Sequence, residues 1–314
     1  MKIKLPLSEF SDNVYSQNGE DGIVRELLGR LREHAELDKW CVEFGAWDGV
    51  YLSNTSRLIR VEGYSGVLIE GDRSKFEALT QNFPQENVHN LCKFIHFEGQ
   101  NSLDNVLSGT PIPLDFDFLS IDIDGCDFHI FDSLKKYHPK IVCVEFNQSI
   151  PNCVDYVQPR NFSVKHGSSA RALMRLAQEK GYRLVAVAHC NLILVREDLA
   201  EFVVEGEQSL EFLNPPGNDP TYLFSGQDGT LLSNKDGIRM PWLEITHPIS
   251  KLQVLPRHLR IFPGDYGKIR WILFRLWRKG PLPKRALMGI LRRIAPVKRA
   301  LINILRRIAP AKRS

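Results

Sequence analysis

The segment DFLSIDIDGCD at residues 117–127 holds the densest group of chemistry-bearing side chains in the sequence. Strand side chains alternate in direction, so Asp122 and Asp124 are expected on one face of a strand, with Asp127 close behind. Paired carboxylates suit two tasks. They can orient and deprotonate a hydroxyl, or they can hold a divalent cation, Mg²⁺ or Mn²⁺, that lowers the hydroxyl's pKa. In the second case Asp122, Asp124 and Glu145 are the expected metal ligands, with Asp127 and Asn147 as further oxygens. The alternative is local: Asp127 caps the helix that starts FHIFDSL, and Asp124 makes an Asp-Gly turn. His166 adds a side chain that titrates near neutrality and is the third catalytic candidate. His129 ranks below it, because it lies within an apolar helical pattern.

A second constellation lies upstream, in VEFGAWDGVYLSNT at residues 42–55. Glu43 closes an apolar run, and Gly45 and Gly49 frame a turn into a helix expected to begin near Leu52. Such turns use glycine where φ is positive and where a ligand must come close to the backbone. The spacing E-x-G-x-x-x-G differs from the G-x-G-x-x-G loop that sets a helix N-terminus against a pyrophosphate. Glu70 follows Gly49 by 21 residues, at the end of the next apolar run, where a carboxylate can accept from two ribose hydroxyls. Asp72, expected on the same strand face, is its reserve, and Asn54 joins Glu43, Gly45, Gly49 and Glu70 as a cofactor candidate. The ligand implied carries a ribose and no phosphate.

These residues need a scaffold, and the alternation of the chain supplies one. Strand-length apolar runs at 40–47, 66–72, 88–96, 116–125 and 141–147 alternate with helix-period segments, the pattern of a parallel sheet covered by helices. A polar insertion, SIPNCVDYVQPRNFSVKHG, is long enough to serve as a lid or substrate loop. The helix SSARALMRLAQEKG follows, with Ser168 or Ser169 as N-cap and Gly181 as stop. The runs 182–189 and 191–198 are so close that they must form an antiparallel hairpin. Parallel strands closed by a late hairpin form the strand inventory of a Rossmann-like α/β methyltransferase domain, not of a nicotinamide-binding one.

The motifs YSQNGEDGIV, VEFGAWDGVYLSNT, GVLIEGD, DFLSIDIDGCDFHIFDSL, IVCVEFNQSIP and GSSARALMRLAQEKGY, continuing to ILVRED, resemble the FkbM-like family of S-adenosylmethionine-dependent methyltransferases over about residues 14–240. The resemblance implies a class I methyltransferase fold, S-adenosylmethionine as cofactor, and methyl transfer to a hydroxyl of a sugar or polyketide-like acceptor. Glu43, Gly45, Gly49 and Glu70 match the family's cofactor loop. Gly167-Ser168-Ser169 departs slightly from the family's G-A-S. The resemblance also sets the N-terminal SQNGEDGI over the cofactor pocket, making Gln17 and Glu20 secondary binding candidates. By its own pattern that segment starts a helix, with Asn18 as N-cap and Asp21 completing a capping box.

The charge is unevenly distributed. Of the 41 Lys and Arg residues, 15 follow Asp265, and no Asp or Glu does, which leaves 26 bases against 37 acids in the first 265 residues. An acidic body argues against a nucleic-acid groove. The tail contains KIRWILFRLWRK and two near-identical stretches, ALMGILRRIAPVKR (286–299) and ALINILRRIAPAKR (300–313), each with an apolar stripe at helical spacing. Basic, aromatic and amphipathic segments of this kind suit an anionic membrane surface. The expected organisation is a methyltransferase domain at 1–200, an accessory β/loop segment at 201–265 with a hairpin near Asp228-Gly229 and Asp236-Gly237, and the basic tail at 266–314. The six cysteines form no C-x-x-C pair and no zinc-spaced cluster, and no signal-peptide-like or membrane-spanning run is present. The expectation is a cytoplasmic enzyme, peripheral on the inner face of the membrane, that methylates a glycan or lipid-linked saccharide. Two other readings share the same residues: a metal-dependent glycosyltransferase using D-x-D, and a non-catalytic assembly factor with a methyltransferase-like fold.

Overall fold

The computed structural model describes residues 4–215 and 221–278. The chain forms two compact units, Met1–Pro220 and Thr221–Ser314. In the first unit, helices and strands alternate as α1 (Glu20–Leu31), β1 (Trp40–Phe44), α2 (Ser56–Arg60), β2 (Ser65–Glu70), α3 (Arg73–Asn82), β3 (Val88–Cys92), α4 (Leu103–Leu107) and β4 (Phe118–Ile121). They continue as α5 (Asp127–Ser133), β5 (Ile141–Glu145), α6 (Ala170–Glu179), β6 (Tyr182–Ala188), β7 (Asn191–Arg196), α7 (Glu197–Val203) and α8 (Leu210–Leu213).

The seven strands form one sheet in the order β3-β2-β1-β4-β5-β7-β6. Strands β1 to β5 pair in parallel, and β7 runs antiparallel to both β5 and β6. This is the Rossmann-like class I methyltransferase sheet, and its late hairpin stands where the short 182–198 spacing puts it. The central strands are buried on both faces, so they read as nearly continuous Val, Ile, Leu and Phe. Val42, Val67, Leu119, Val142 and Leu194 point into one core, shared with α4, α5, α6 and α8. Cys41, Leu68, Phe118, Cys143 and Ile193 point into the other, against α1, α2, α3 and α7. Each Val, Leu, Ile or Phe among them, fully buried, contributes about 1.5–3 kcal/mol. All six cysteines are free thiols, with Cys41 and Cys143 buried and Cys190 partly so.

Local sequence sets the helix starts. The Ser169 hydroxyl accepts from Ala172 N and caps α6, and Asp72 caps α3 through Ser74 N and Lys75 N. Helix α1 departs from expectation, because its N-cap is Gly19 in the left-handed region (φ 97°) and not Asn18. The buried Asp21 carboxylate turns back onto the preceding loop instead, and one of its oxygens accepts from Val14 N, Tyr15 N and Ser16 N. The expected edge at residue 200 falls inside α7, whose Leu199, Ala200 and Val203 are buried.

The second unit contains β8 (Leu223–Ser225), β9 (Leu231–Ser233), β10 (Gly237–Met240), β11 (Ile245–Pro248) and α9 (Lys268–Arg278). Strands β8 and β9 form an antiparallel ribbon about Asp228-Gly229. Asp236-Gly237 is not a second hairpin tip; Gly237 opens β10, which pairs with β11. The expected helices at 286–299 and 300–313 lie outside the described residues. Among the described residues, no helix is long and apolar enough to cross a membrane.

Candidate active site

Parallel strands deliver their C-terminal ends to one edge of the sheet, the edge at which ligands bind open α/β sheets. Acids stand at four of these ends: Glu43 on β1, Glu70 on β2, Asp122 just past β4 and Glu145 on β5. The structure gives them different tasks.

Glu43 is buried and faces its own loop. Its Oε2 accepts from Ser53 Oγ at 2.5 Å and Thr55 Oγ1 at 2.7 Å, and its Oε1 accepts from Asn54 N at 2.8 Å. Burial raises its pKa to about 7, against the three hydrogen bonds and with a further push from Asp122. Asn54 is equally committed, donating from Nδ2 to Ser120 Oγ at 3.0 Å. Both residues, expected as cofactor contacts, clamp the loop, Glu43 to β1 and Asn54 to β4. The glycines are also explained by protein neighbours. At Gly45 (φ 81°) a Cβ would stand 1.9 Å from Asp122 O, and at Gly49 (φ 76°) it would stand 2.6 Å from Leu79 and from the Phe83 ring. The following helix begins at Ser56, because Leu52 itself sits at φ 56°.

Glu70 holds the position expected of it. It is 8% exposed, and each of its oxygens accepts one backbone N–H: Oε2 from Trp47 at 2.9 Å and Oε1 from Asp72 at 2.7 Å. A carboxylate oxygen has room for a second donor, so two hydroxyls can still be accepted. Asp72 has left the strand face. Its Oδ1 takes Ser74 N, Lys75 N and Ser74 Oγ, and the Ser74 hydroxyl, followed by Lys75 N, lowers its pKa. Two aromatic residues beside Glu70 escaped the sequence reading. Trp47 (φ 49°) is 48% exposed with Lys75 Nζ 3.5 Å above its ring, and Phe94 is 54% exposed against Gly71. Phe94 meets Phe162 edge to face at 5.0 Å, and Phe162 stacks on Phe97 at 4.3 Å. The available signal was an aromatic residue at a turn where polar residues are usual.

The D-x-D pair does not share a face. Strand β4 ends at Ile121, and the backbone turns through Asp124 (φ 55°) and Gly125 (φ 137°), which ends the alternation. Asp127 replaces Asp124 in the cluster: one carboxylate oxygen from each of Asp122, Asp127 and Glu145 lies within 4.8 Å of the others. Asp127 is buried, and its oxygens accept from Ile123 N and Gly125 N, both at 2.9 Å, so it holds the turn and does not cap the α5 amides. Asp122 opens to solvent on one side, but its carboxyl is crowded by protein on the other. Lost hydration and then the Asp124 charge raise its pKa, against a hydrogen bond from Glu145. The Glu145 pKa is raised further, by burial and then by Asp122 and Asp127, and Glu145 keeps its proton at neutral pH.

The polar insertion folds back on this turn. Gln158 Oε1 accepts from His166 N at 3.0 Å and Gly167 N at 2.9 Å, and Lys165 Nζ donates to Ile123 O at 3.1 Å. His166 is exposed, with Nδ1 2.8 Å from the Tyr156 hydroxyl. Asn147 donates to His166 O and accepts from Ser149, which leaves it tied to the insertion. His129 Nε2 lies 2.8 Å from Gln158 O. From the N-terminal segment, Glu20 is buried, accepts from Asn191 Nδ2 at 2.8 Å and Asn18 N at 2.7 Å, and adds negative charge beside Asp122. Gln17 is exposed.

Residues 99–184 match the family model described as the Methyltransferase FkbM domain. No curated protein matches the chain in sequence. Among solved structures, a SAM-dependent methyltransferase from Aquifex aeolicus is similar at 14% identity over 60% of this chain and 94% of that one, with a TM-score of 0.31. The CMeT domain of citrinin polyketide synthase is similar at 13% identity over 59% of this chain and 55% of that one, with a TM-score of 0.37. A ribosomal protein L11 methylase from Lactobacillus delbrueckii subsp. bulgaricus is similar at 14% identity over 58% of this chain and 80% of that one, with a TM-score of 0.34. The strand order, not these scores, identifies the fold.

Proposed function

From the FkbM methyltransferase domain matched over residues 99–184, we propose that this chain transfers a methyl group from S-adenosylmethionine to a hydroxyl of a saccharide, free or lipid-linked. One relationship carries the reading. The turn after β1 packs Gly45 against the Asp122 carbonyl and, two residues on, ties Trp47 N to Glu70, so a ribose-accepting carboxylate and an acid cluster share one edge. The donor set suits the cofactor. The Asp122 carboxylate, with the charges of Asp124 and Glu20 beside it, favours a cationic sulfonium and ammonium over a phosphate.

S-adenosylmethionine, when bound, supplies an electrophilic methyl group. Glu70 accepts the ribose hydroxyls. Asp122, the member of the cluster that opens to solvent, would take the acceptor's hydroxyl proton as its oxygen receives that methyl group. Burial raises the Glu145 pKa above that of Asp122, and Glu145 in its protonated form holds Asp122 by a hydrogen bond, which leaves Asp122 to take the proton. The polar insertion packs on the turn through Lys165, which donates to Ile123 O, and Gln158, which donates to Cys126 Sγ.

A second reading has one observation in its favour: Asp122, Asp127 and Glu145 are spaced to hold Mg²⁺ or Mn²⁺, which would displace the Glu145 proton and activate the hydroxyl. Calorimetry with S-adenosylmethionine, set against a nucleotide sugar, tests the cofactor. Radiolabelled methyl transfer to a panel of saccharides, with and without EDTA, tests the acceptor and the metal. Binding of the nucleotide sugar alone would overturn the methyltransferase reading.

A further inference from the structure

In the second unit, α9 (Lys268–Arg278) has the sequence KIRWILFRLWR. At 3.6 residues per turn, Ile269, Ile272, Leu273, Leu276 and Trp277 fall at i, i+3, i+4, i+7 and i+8, one continuous apolar stripe. A stripe of this kind ordinarily faces a core. Here Ile269 is 71%, Ile272 56%, Leu273 39% and Trp277 38% exposed, and no residue of the helix is buried. The helix rests on its unit by another side. The Tyr266 ring packs against Trp271 at 5.4 Å and Phe274 at 6.0 Å, the Tyr266 hydroxyl donates to Leu259 O, and α9 contacts the turn Arg257–Leu259. This anchorage aims the stripe outward.

Charge identifies what covers the stripe. Lys268, Arg270, Arg275 and Arg278 lie outside it, and from Tyr266 to the last residue the sequence has 15 bases and no acid. A protein groove would have to offer both a long apolar trough and a uniformly acidic rim. A bilayer rich in anionic lipid offers acyl chains under negative headgroups over any length. A helix of this length spans about 16 Å, half of a hydrocarbon core of about 30 Å, so it lies in the interface and does not cross. Tryptophan settles at that depth, and the basic side chains reach up to the headgroups.

We infer that α9 is an interfacial helix that docks this protein on anionic membranes, with Ile269, Ile272, Leu273, Leu276 and Trp277 inserted and Lys268, Arg270, Arg275 and Arg278 on the headgroups. The 286–299 and 300–313 sequences again combine apolar residues at helical spacing with bases and no acids, and they add to the attraction. The inference does not depend on the cofactor or the acceptor.

The test is co-sedimentation of the full-length protein with vesicles of phosphatidylcholine alone, or with about 30% phosphatidylglycerol added. Binding is expected on the anionic vesicles, at least tenfold tighter than on phosphatidylcholine, and it should weaken as salt rises. The double variant I272E/L276E places carboxylates in the stripe without touching the Tyr266, Trp271 and Phe274 contacts. It should melt at the wild-type temperature and lose at least tenfold in vesicle affinity. Three results would each overturn the inference: no binding at low salt, equal binding to both vesicle types, or full binding by I272E/L276E. Self-association that the double variant abolishes, in a protein that ignores vesicles, would instead assign the stripe to a second copy of the chain.

Discussion

The backbone N–H of Trp47 lies 2.9 Å from Glu70 Oε2, so one carboxylate both latches the turn after β1 and faces the ligand edge. Glu70→Ala should weaken S-adenosylmethionine binding by about 1–3 kcal/mol, through lost charge-assisted hydrogen bonds and a released turn. Glu70→Gln, which keeps one acceptor oxygen, should lose less. An unchanged calorimetric Kd in the Ala variant would remove Glu70 from the site.

Asp122→Asn keeps shape and removes the vacant proton site. Turnover should fall by about 10²-fold or more, the usual contribution of a general base, while the affinity for S-adenosylmethionine changes little. In the wild type, the Asp122 carboxyl is pushed up to about 6, so the rate should rise with pH through that region. Wild-type turnover in the Asn variant would make the carboxylate structural. Loss of turnover in EDTA, restored by Mg²⁺, would favour the metal reading.

Glu43→Ala strands the donors Ser53 Oγ, Asn54 N and Thr55 Oγ1 in a buried loop. Each unmatched buried donor costs about 1–3 kcal/mol, so the variant should lose about 3 kcal/mol or more in chemical denaturation. Its cofactor affinity should fall only as far as the loop disorders. A variant as stable as wild type would show that the clamp does not hold the loop.

Glu145 gives stability a pH dependence of defined sign. Its folded pKa stands above the ordinary value of 4.5, so its contribution is complete below that value and is lost as pH rises toward the folded pKa. Glu145→Gln cannot ionise and can still donate to Asp122. It should melt near the wild-type temperature at pH 5 and above it at pH 8. Equal melting temperatures at both values would mean that Glu145 is not held protonated.

Much of this fold was legible because burial on both faces writes a strand as a run of apolar residues, and the brief gap after Ala188 admits only a hairpin. Glu70 was legible for a related reason: it ends a strand whose edge is fixed by topology. The rest depended on backbone geometry that residue types do not encode. Asp122 and Asp124 read as a same-face pair only if the strand continues, yet it stops at Ile121, and the positive φ of Asp124 sends the chain elsewhere. Glu43 and Asn54 looked like ligand contacts because a loop that clamps itself uses the same polar residues as a loop that clamps a ligand. Asp72 followed the same course into a helix cap. Trp47 and Phe94 gave no periodic signal, since an exposed ring in a turn matters only once its neighbours are known.

The hydrogen bond from Asn191 to Glu20 joins residues 171 positions apart, and every strand that carries an acid of the edge lies within that interval. A chain emerging from the ribosome can pair β1, β2 and β4 early, but Glu20 stays without this partner until β7 has been synthesised. Contacts this remote in sequence are slow to form, and a sheet edge waiting for its last strands is exposed to wrong pairing. The nascent protein therefore fixes Glu20 beside the acid edge late, after the strands that carry the other acids have been made.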